Sequence, residues 1–579
     1  MPVPSPYPNI ELQEKDIYSF LFTRKDRPFP ANKYIYQDGD DPSRRYTHTD
    51  VAHLSLRFGQ GLQSQFDIKK HDVVALFTPN DVDYPCVAFG ALWAGATVSP
   101  ANPGYTVSEF AYQLRDSGAK LVVSHWSAIE TVRKACKEVG IPSSHILTLG
   151  SQHDPTGELR HWTSVKPASG SQPASAPAKI SPKEDLAFLV YSSGTTGRPK
   201  GVMLTHYNVT SNVLQITACE AGKLSHDGSK RSENVPDAPP TGDKILSCLP
   251  FFHIYGLTSL VLAPLYNGIH TIILAKFTIE KFCSLVQEHK ITFIYIVPPM
   301  ALHLAKHPCV SDYDLSSIRI TNSGAAPLTR ELQEAVFKRC GVRIKQGYGL
   351  SETSPTTHEQ RFEDWDKKIG SIGKLMPNMV AKFCEVGAED GPEGPPKELK
   401  AGQTGELYVK GPNVFKGYWK NEEATRGCLT EDGWFRTGDV GHVDEDGDTW
   451  ITDRVKELIK YKGFQVPPAE LEGYLIDHDL VDDVAVVGVN SEELGTELPR
   501  AYIMRNGGLG AVEQGDDKKI IDWLNAKVAN HKKLRGGVKF VDAIPKSPSG
   551  KLLRRLLKDQ AKKEYAEIEK QTQKLKAKL

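Results

Sequence analysis

Tyr191-Ser-Ser-Gly-Thr-Thr-Gly-Arg-Pro-Lys-Gly-Val202 is the stretch around which the chain is organised. It follows Ala187-Phe-Leu-Val190, an apolar run that reads as a short buried strand entering a glycine-rich turn. The turn holds Gly194, Gly197 and Gly201, the hydroxyls of Ser192, Ser193, Thr195 and Thr196, and the ammonium of Lys200. Glycines let backbone N–H groups curl round an anion, and hydroxyls with an ammonium add donors to phosphate oxygens. That composition predicts a polyphosphate cradle. The spacing is not G-x-x-x-x-G-K-[ST], because Gly201 stands where that loop needs Ser or Thr, and no G-x-G-x-x-G occurs here. A flexible Gly/Ser/Thr linker is the plainer reading, but linkers seldom begin on a buried strand.

With 579 residues the chain exceeds a single core, and two or more domains are expected. Lys plus Arg and Asp plus Glu balance at 71 each, which gives no basic surface for nucleic acid or an anionic membrane. The nine cysteines are scattered singly with no C-x-x-C, which argues for reduced thiols and against a zinc site. Met1–Glu14 has prolines and acids in place of a basic patch and apolar core, so no signal peptide is expected. Between Ile245 and Ala275 no Asp, Glu, Lys or Arg occurs, but Pro250, His253, Gly256, Pro264 and Gly268 break the run. Strand, loop, helix, strand is the expected reading there, not a membrane span. The terminal Ala577-Lys578-Leu579 resembles the S-K-L address, so a peroxisomal import receptor is an expected partner and the peroxisome the expected location, with the cytoplasm as alternative.

Residues 30–170 alternate apolar runs (Val73–Phe77, Leu121–Ser124) with helical patterns (Val51–Gln65, Val107–Ser117), which predicts an α/β layer architecture with largely parallel sheets. Pro167–Pro182 and Gly222–Asp243 read as disordered or loop insertions, and Glu389–Gly405 as a surface loop before a β-like run at Glu406–Val409. A second α/β unit follows Asp453, with strands at Leu480–Val489, Arg500–Met504 and Val538–Val541 and a helix at Asp517–His531.

Six further motifs carry chemistry. Pro250-Phe-Phe-His-Ile-Tyr-Gly256 sets His253 among apolar residues, where a lone histidine is commonly a satisfied core group. Asn322-Ser-Gly-Ala-Ala-Pro327 and Gln346-Gly-Tyr-Gly-Leu-Ser-Glu-Thr353 are small-residue turns at strand ends, where α/β folds bind ligands. Tyr348 can stack on a purine, and Glu352 is a carboxylate suited to Mg²⁺. Gly433-Trp-Phe-Arg-Thr-Gly-Asp439 places a carboxylate whose two oxygens match the two ribose hydroxyls of a nucleotide, though an exposed salt bridge would look alike. Asp453-Arg-Val-Lys-Glu-Leu-Ile-Lys-Tyr-Lys-Gly-Phe-Gln-Val466 is rich in basic residues, a solvated face or a phosphate patch. Pro545-Lys-Ser-Pro-Ser-Gly-Lys-Leu-Leu-Arg-Arg555 holds Lys551 on a Gly-Lys turn, and a flexible ammonium suits transient charge stabilisation.

Together these motifs resemble, from roughly Tyr34 to Leu556, the adenylate-forming superfamily of acyl-CoA synthetases, luciferases and adenylation domains. The His-Ile-Tyr form is most similar to 4-coumarate:CoA ligase-like enzymes. The resemblance implies a large N-terminal domain of layered α/β sheets with a barrel-like subdomain (1–453), a hinge (454–456) and a small mobile C-terminal α+β domain (457–579). It implies ATP, Mg²⁺ and CoA, and an ATP-dependent carboxylate:CoA ligase working through an acyl-adenylate. His253, Lys460, Gln465 and Lys551 would be catalytic, with Lys551 catalysing adenylation. Ser192, Ser193, Gly194, Thr195, Thr196, Gly197, Lys200, Ala325, Gln346, Gly347, Tyr348, Ser351, Asp439, Arg454 and Lys456 would contact ATP or AMP. Lys276, Lys462 and Gly463 would line the CoA path after a rotation about Lys456, and Glu352 would serve the metal. Tyr255, Ser259, Gly324, Pro355 and Thr356 would line the acyl pocket. Small residues there leave room for a flat ring, which favours an aryl or arylalkyl acid of the cinnamate or phenylacetate type. A medium-chain fatty acid, a luciferase-like oxygenation and transfer to a carrier protein are the alternatives. Ser351 stands where the family usually has Thr, and Val455 where it has Leu; the first change keeps the hydroxyl.

Overall fold

The computed structural model describes residues 2–167, 177–192, 199–220, 223–230, 233–386, 396–462, 464–491, 494–547 and 552–564. The chain divides into two compact units, Val3–Ala381 with Val409–Phe435, and Lys382–Tyr408 with Arg436–Leu579. These units are drawn elsewhere than the boundary expected at residue 453, and a hinge at 454–456 stays a proposal. Two local features go with the division. Phe435–Val443 and Asp448–Arg454 form an antiparallel hairpin, and the Thr437 hydroxyl donates to the Leu407 carbonyl at 2.7 Å.

The larger unit is built on two sheets. One has the strand order Gly417–Tyr418, Lys200–Thr205, Leu186–Ser192, Thr97–Ala101, Val73–Phe77, Ala119–His125, Ile146–Leu149, Arg160–His161. The pairings from Leu186–Ser192 through Arg160–His161 are parallel, whereas Lys200–Thr205 turns back antiparallel on Leu186–Ser192. Parallel strands covered on both faces read as continuous apolar runs, and Val73–Phe77 is buried at every position. Helix Val107–Ser117 begins where the Thr106 and Glu109 side chains cap each other's backbone and ends at Gly118 with φ +71°. It packs on Ile129–Val139, and Phe110, Leu114 and Val132 close over Phe77 in one core.

In the second sheet six strands run parallel in the order Ile344–Gly349, Ile320–Ser323, Phe293–Ile296, Lys244–Ser247, His270–Ile273, Tyr34–Asp38. Thr356–Glu359 continues it antiparallel beside Ile344–Gly349. The uncharged stretch from Ile245 is strand, turn, helical segment and strand, ending at His270–Ile273. No helix among the described residues is long and apolar enough to cross a membrane.

One expectation is narrowed and one is corrected. The described part of Gly222–Asp243 follows the loop reading and is tied down: Arg319 donates to the Pro236 and Lys223 carbonyls at 2.6 and 3.0 Å and forms a buried pair with Asp243 at 2.7 Å. Polar composition left disorder open because the buried guanidinium that satisfies those carbonyls is distant in sequence. The helix expected over Asp517–His531 spans Asp516–Asn525, since the Asn525 side chain accepts the Leu534 N–H at 3.1 Å and the chain turns back there.

In the smaller unit, Val481–Ser491, Thr496–Arg505 and Val538–Phe540 form a three-stranded sheet. Its core of Ile459, Leu471, Val486, Tyr502, Ile520 and Leu557 draws only on residues from 459 onward. A self-contained apolar core is what a separately folding α+β module needs.

Candidate functional site

The strands flanking the glycine-rich stretch pair so that Ser192 lies opposite Lys200. Ser193, Gly194, Thr195, Thr196 and Gly197 lie outside the described residues. At the paired strand ends the Ser192 hydroxyl donates to Glu352 Oε1 at 3.4 Å, and the Tyr418 hydroxyl donates to the same oxygen at 2.8 Å. Lys200 Nζ stands 5.0 Å from the centre of the Tyr418 ring, within cation–π range. Burial and the Glu352 charge push the Tyr418 phenol far up, so it stays protonated and donating. Both described side-chain contacts of Glu352 fall on Oε1. The neighbouring backbone is held from behind, since Phe415 N–H donates to the Glu352 carbonyl at 2.9 Å and Asn413 Nδ2 to the Thr353 carbonyl at 2.7 Å.

Glu352 sits in the turn Ser351–Thr353 after strand Ile344–Gly349, which carries Gln346, Gly347 and Tyr348. Gly349 has to be glycine, because a Cβ there would lie 2.1 Å from the Pro355 carbonyl oxygen. Thr356, in the adjacent strand, exchanges backbone bonds with the Asn212 side chain at 2.7 and 3.1 Å. Ala325, just past strand Ile320–Ser323, has φ +68°, a left-handed conformation that costs an L-residue ~1 kcal/mol or more and clusters at ligand-binding turns. The buried polar atoms Asn322 Oδ1, Ser323 Oγ and Gln346 Nε2 at the same strand ends have no partner among the described residues.

His253 caps the turn Ile254–Gly256, its Nδ1 accepting the Tyr255 N–H at 3.3 Å. In the neutral ring that bond puts the proton on Nε2 and makes it a donor. The Tyr255 ring lies over Gly324, where a Cβ would come within 3.1 Å of it, and its hydroxyl donates to the Asn322 carbonyl at 3.2 Å. Ser259 and Pro355 are buried, and Lys276 is exposed.

In the smaller unit Asp439 and Arg454 face each other across the hairpin, Nε to Oδ1 at 2.6 Å. The side chain of Asp439 is 2% exposed and that of Arg454 29%. Lys456, Lys460 and Lys462 are exposed. Lys460 pairs with Gln465 in a short hairpin, and Lys462 at its turn has φ +45° and donates its N–H to Thr496 Oγ1 at 2.7 Å. Gly463, the Gln465 side chain, Lys551 and the terminal Ala577–Leu579 lie outside the described residues.

Local sequence missed Tyr418, whose partners Glu352 and Lys200 are far away in the chain. It also missed Arg554, which pairs with Glu457 at 2.6 Å and with Glu472. No motif surrounds Tyr418, and Arg554, though inside the Pro545–Arg555 stretch, has acidic partners that nothing local marks.

Residues 22–419 match the family model of the AMP-binding enzyme, and residues 470–551 that of the AMP-binding enzyme C-terminal domain. The chain belongs to the AMP-binding enzyme family. It is 36% identical to a probable 4-coumarate–CoA ligase of Dictyostelium discoideum, over 96% of this chain and 97% of that one. It is 37% identical to a 4-coumarate–CoA ligase of Pinus taeda, over 96% of each. Among solved structures, ATP-bound MatB from Rhodopseudomonas palustris superposes with a TM-score of 0.80 at 28% identity, covering 95% of this chain and 99% of that one. An anthranilate CoA ligase in complex with anthranoyl-AMP also reaches 0.80, at 25% identity and covering 96% and 99%. This member of the family is an AMP-forming acid–CoA ligase that acts through an acyl-adenylate.

Proposed function

We propose that this family member activates an aryl or arylalkyl acid, with each half-reaction carried by named residues. The observation that supports the reading is the convergence of Ser192, Lys200, Glu352 and Tyr418 at the mouth of the glycine-rich stretch. A cation, a hydroxyl and an oriented carboxylate there suit a nucleoside triphosphate with its metal. In the first half-reaction a carboxylate oxygen attacks the α-phosphorus and pyrophosphate leaves. Both reactants are anions, so positioned donors have to offset their repulsion. His253, with Nε2–H as donor, holds the acid; Ser192 through Lys200 hold the β- and γ-phosphates; Asp439, oriented by Arg454, binds the ribose; Tyr348 stacks on adenine; Lys551 stabilises the charge at the reacting phosphate. The donor set fits Mg²⁺, a hard cation that would bind the Glu352 carboxylate and offset phosphate charge. In the second half-reaction the CoA sulfur attacks the acyl carbon, a thioester forms and AMP leaves, with Lys276, Lys462 and Gly463 along the CoA path.

What supports the ring reading is that Gly324 and Gly347 are small and that the Tyr255 ring beside Gly324 is a surface suited to stacking. A kcat/KM panel with free CoA tests it, comparing cinnamic, phenylacetic, benzoic, hexanoic, octanoic and palmitic acids. A preference for octanoate over every aromatic acid would replace the aryl assignment with a medium-chain one and leave the ligase chemistry intact.

A further inference from the structure

The short strand Gly417–Tyr418 forms the edge of the sheet that carries the glycine-rich stretch, with Tyr418 opposite Val202 and Gly417 opposite Met203. Hydrogen bonds fix the backbone here: Tyr418 N–H donates to Thr425 Oγ1 at 2.9 Å, Trp419 N–H to the Gly201 carbonyl at 2.8 Å and Trp419 Nε1 to the Asp116 carbonyl at 3.0 Å. Gly417 has φ +135°, in the region that favours glycine, and a Cβ there would lie 2.8 Å from Thr425 Cγ2. The Phe415 ring meets the Tyr418 ring edge-on at 5.0 Å and flanks it.

From this base Tyr418 touches a carboxylate and an ammonium that both belong to the candidate nucleotide site. Its hydroxyl donates to Glu352 Oε1 at 2.8 Å, and its ring centre lies 5.0 Å from Lys200 Nζ. The Ser192 hydroxyl reaches the same oxygen at 3.4 Å, the long end of a hydrogen bond, so the phenol is the firmer of the two described holds on the carboxylate. Partners that orient a ligating carboxylate govern metal affinity without touching the metal. Lys200 carries its charge on a flexible stem, and an aromatic face restricts where the ammonium sits. All of these residues belong to the larger unit.

We propose that Tyr418 is a positioning residue for the adenylation half-reaction: its hydroxyl fixes the orientation of Glu352 for the cation, and its ring confines Lys200 for the phosphates, before ATP arrives. The inference rests on the nucleotide reading above, in which Glu352 serves Mg²⁺ and Lys200 the β- and γ-phosphates. The two contacts can be removed separately. Tyr418→Phe deletes the hydroxyl and keeps the ring, whereas Tyr418→Leu deletes both.

The test measures ATP binding to the full chain by titration calorimetry at stepped free Mg²⁺, with no acid present and therefore no turnover. Tyr418→Phe should raise the Mg²⁺ concentration at which ATP binding is half-maximally tightened by ~10-fold, the usual cost of losing a partner that orients a metal ligand. It should leave the affinity for ATP without Mg²⁺ unchanged. Tyr418→Leu should show the same Mg²⁺ shift and, in addition, a ~2- to 5-fold loss of affinity for Mg²⁺-free ATP, the worth of the cation–π contact. In the Glu352→Gln background Tyr418→Phe should move the Mg²⁺ midpoint no further, because the hydroxyl acts through that carboxylate. Trp419→Phe, which loses the bond to Asp116 on the same strand, should lower the melting temperature and leave the midpoint in place. A midpoint unmoved by Tyr418→Phe, moved as much with Glu352→Gln as without it, or moved equally by Trp419→Phe overturns the proposal. If Glu352→Gln itself leaves the midpoint unmoved, the metal assignment of Glu352 fails and the role of Tyr418 falls with it. If Glu352→Gln moves it and Tyr418→Phe does not, only Tyr418 loses its role.

Discussion

Replacing Asp439 by alanine tests the nucleotide assignment most directly. The Asp439 carboxylate is 2% exposed, and Arg454 Nε grips one oxygen at 2.6 Å, so the group is oriented and poorly hydrated before substrate arrives. Two ribose hydroxyls donating to such a carboxylate form charge-assisted bonds, which contribute ~1.5–3 kcal/mol. With ~1.4 kcal/mol per factor of ten, the loss corresponds to a roughly 10- to 150-fold rise in the KM for ATP. Structural damage should be smaller, because Arg454 is 29% exposed and water can take the place of its lost partner. The assay is acid-dependent ATP–pyrophosphate exchange at saturating acid, with a thermal melt of each variant alongside. Asp439→Asn, which keeps one oxygen and the side-chain volume, should fall between wild type and alanine. Arg454→Met, which disturbs only the orientation of the carboxylate, should raise the same KM by less than Asp439→Ala. An unchanged KM for ATP with a raised KM for the acid would refute the ribose assignment.

Three other outcomes are expected. Lys551→Ala should abolish ATP–pyrophosphate exchange but spare thioester formation from preformed acyl-adenylate, and equal loss of both would sink the division of labour between half-reactions. Asp453→Asn should flatten the pH dependence of stability. Arg554 faces Asp453, Glu457 and Glu472, and Asp453, which accepts only backbone N–H groups at 2.6 and 3.3 Å, is pushed by burial to about 7. Its folded value lies above the unfolded one, so folding binds a proton; stability is full below pH 4 as far as this group is concerned, falls as pH rises from about 4, and levels off above about 7. The gain in melting temperature of Asp453→Asn over wild type should therefore be larger at pH 8.5 than at pH 5, and an equal difference at both would show that Asp453 is ionised throughout. Removing Ala577–Leu579 should shift a fluorescent fusion from peroxisomes to cytosol with ligase activity intact, and unchanged placement would make the tripeptide match accidental.

Much of the architecture follows from local pattern. The uninterrupted apolar run Val73–Phe77, the capped helix Val107–Ser117 and the strand leading into Ser192 are dictated by neighbouring residues, because strand burial and helix capping depend on a few positions of chain. The glycine-rich stretch and Glu352 were legible for the same reason: residue types that bind phosphate and cations occur together over a short span. The helix expected to run to His531 ends at Asn525, where a side chain accepts an N–H nine residues on and local propensity loses to that contact.

By itself the sequence determined the α/β class, the anion-binding composition of residues 191–202 and the set of carboxylates and lysines open to chemistry. Only the tertiary structure decided which of them meet. Tyr418 reaches Glu352 over 66 residues, and Ser192 reaches it over 160. Lys345 looks like a surface charge in a strand, yet it is 1% exposed and held between Glu220 and Glu359. The physical reason is that periodicity reports only whether a position faces a core or water. Whether a buried charge is neutralised depends on partners that chain folding brings from another strand or helix, and in a low-dielectric interior that pairing determines both the cost of the charge and what it can bind.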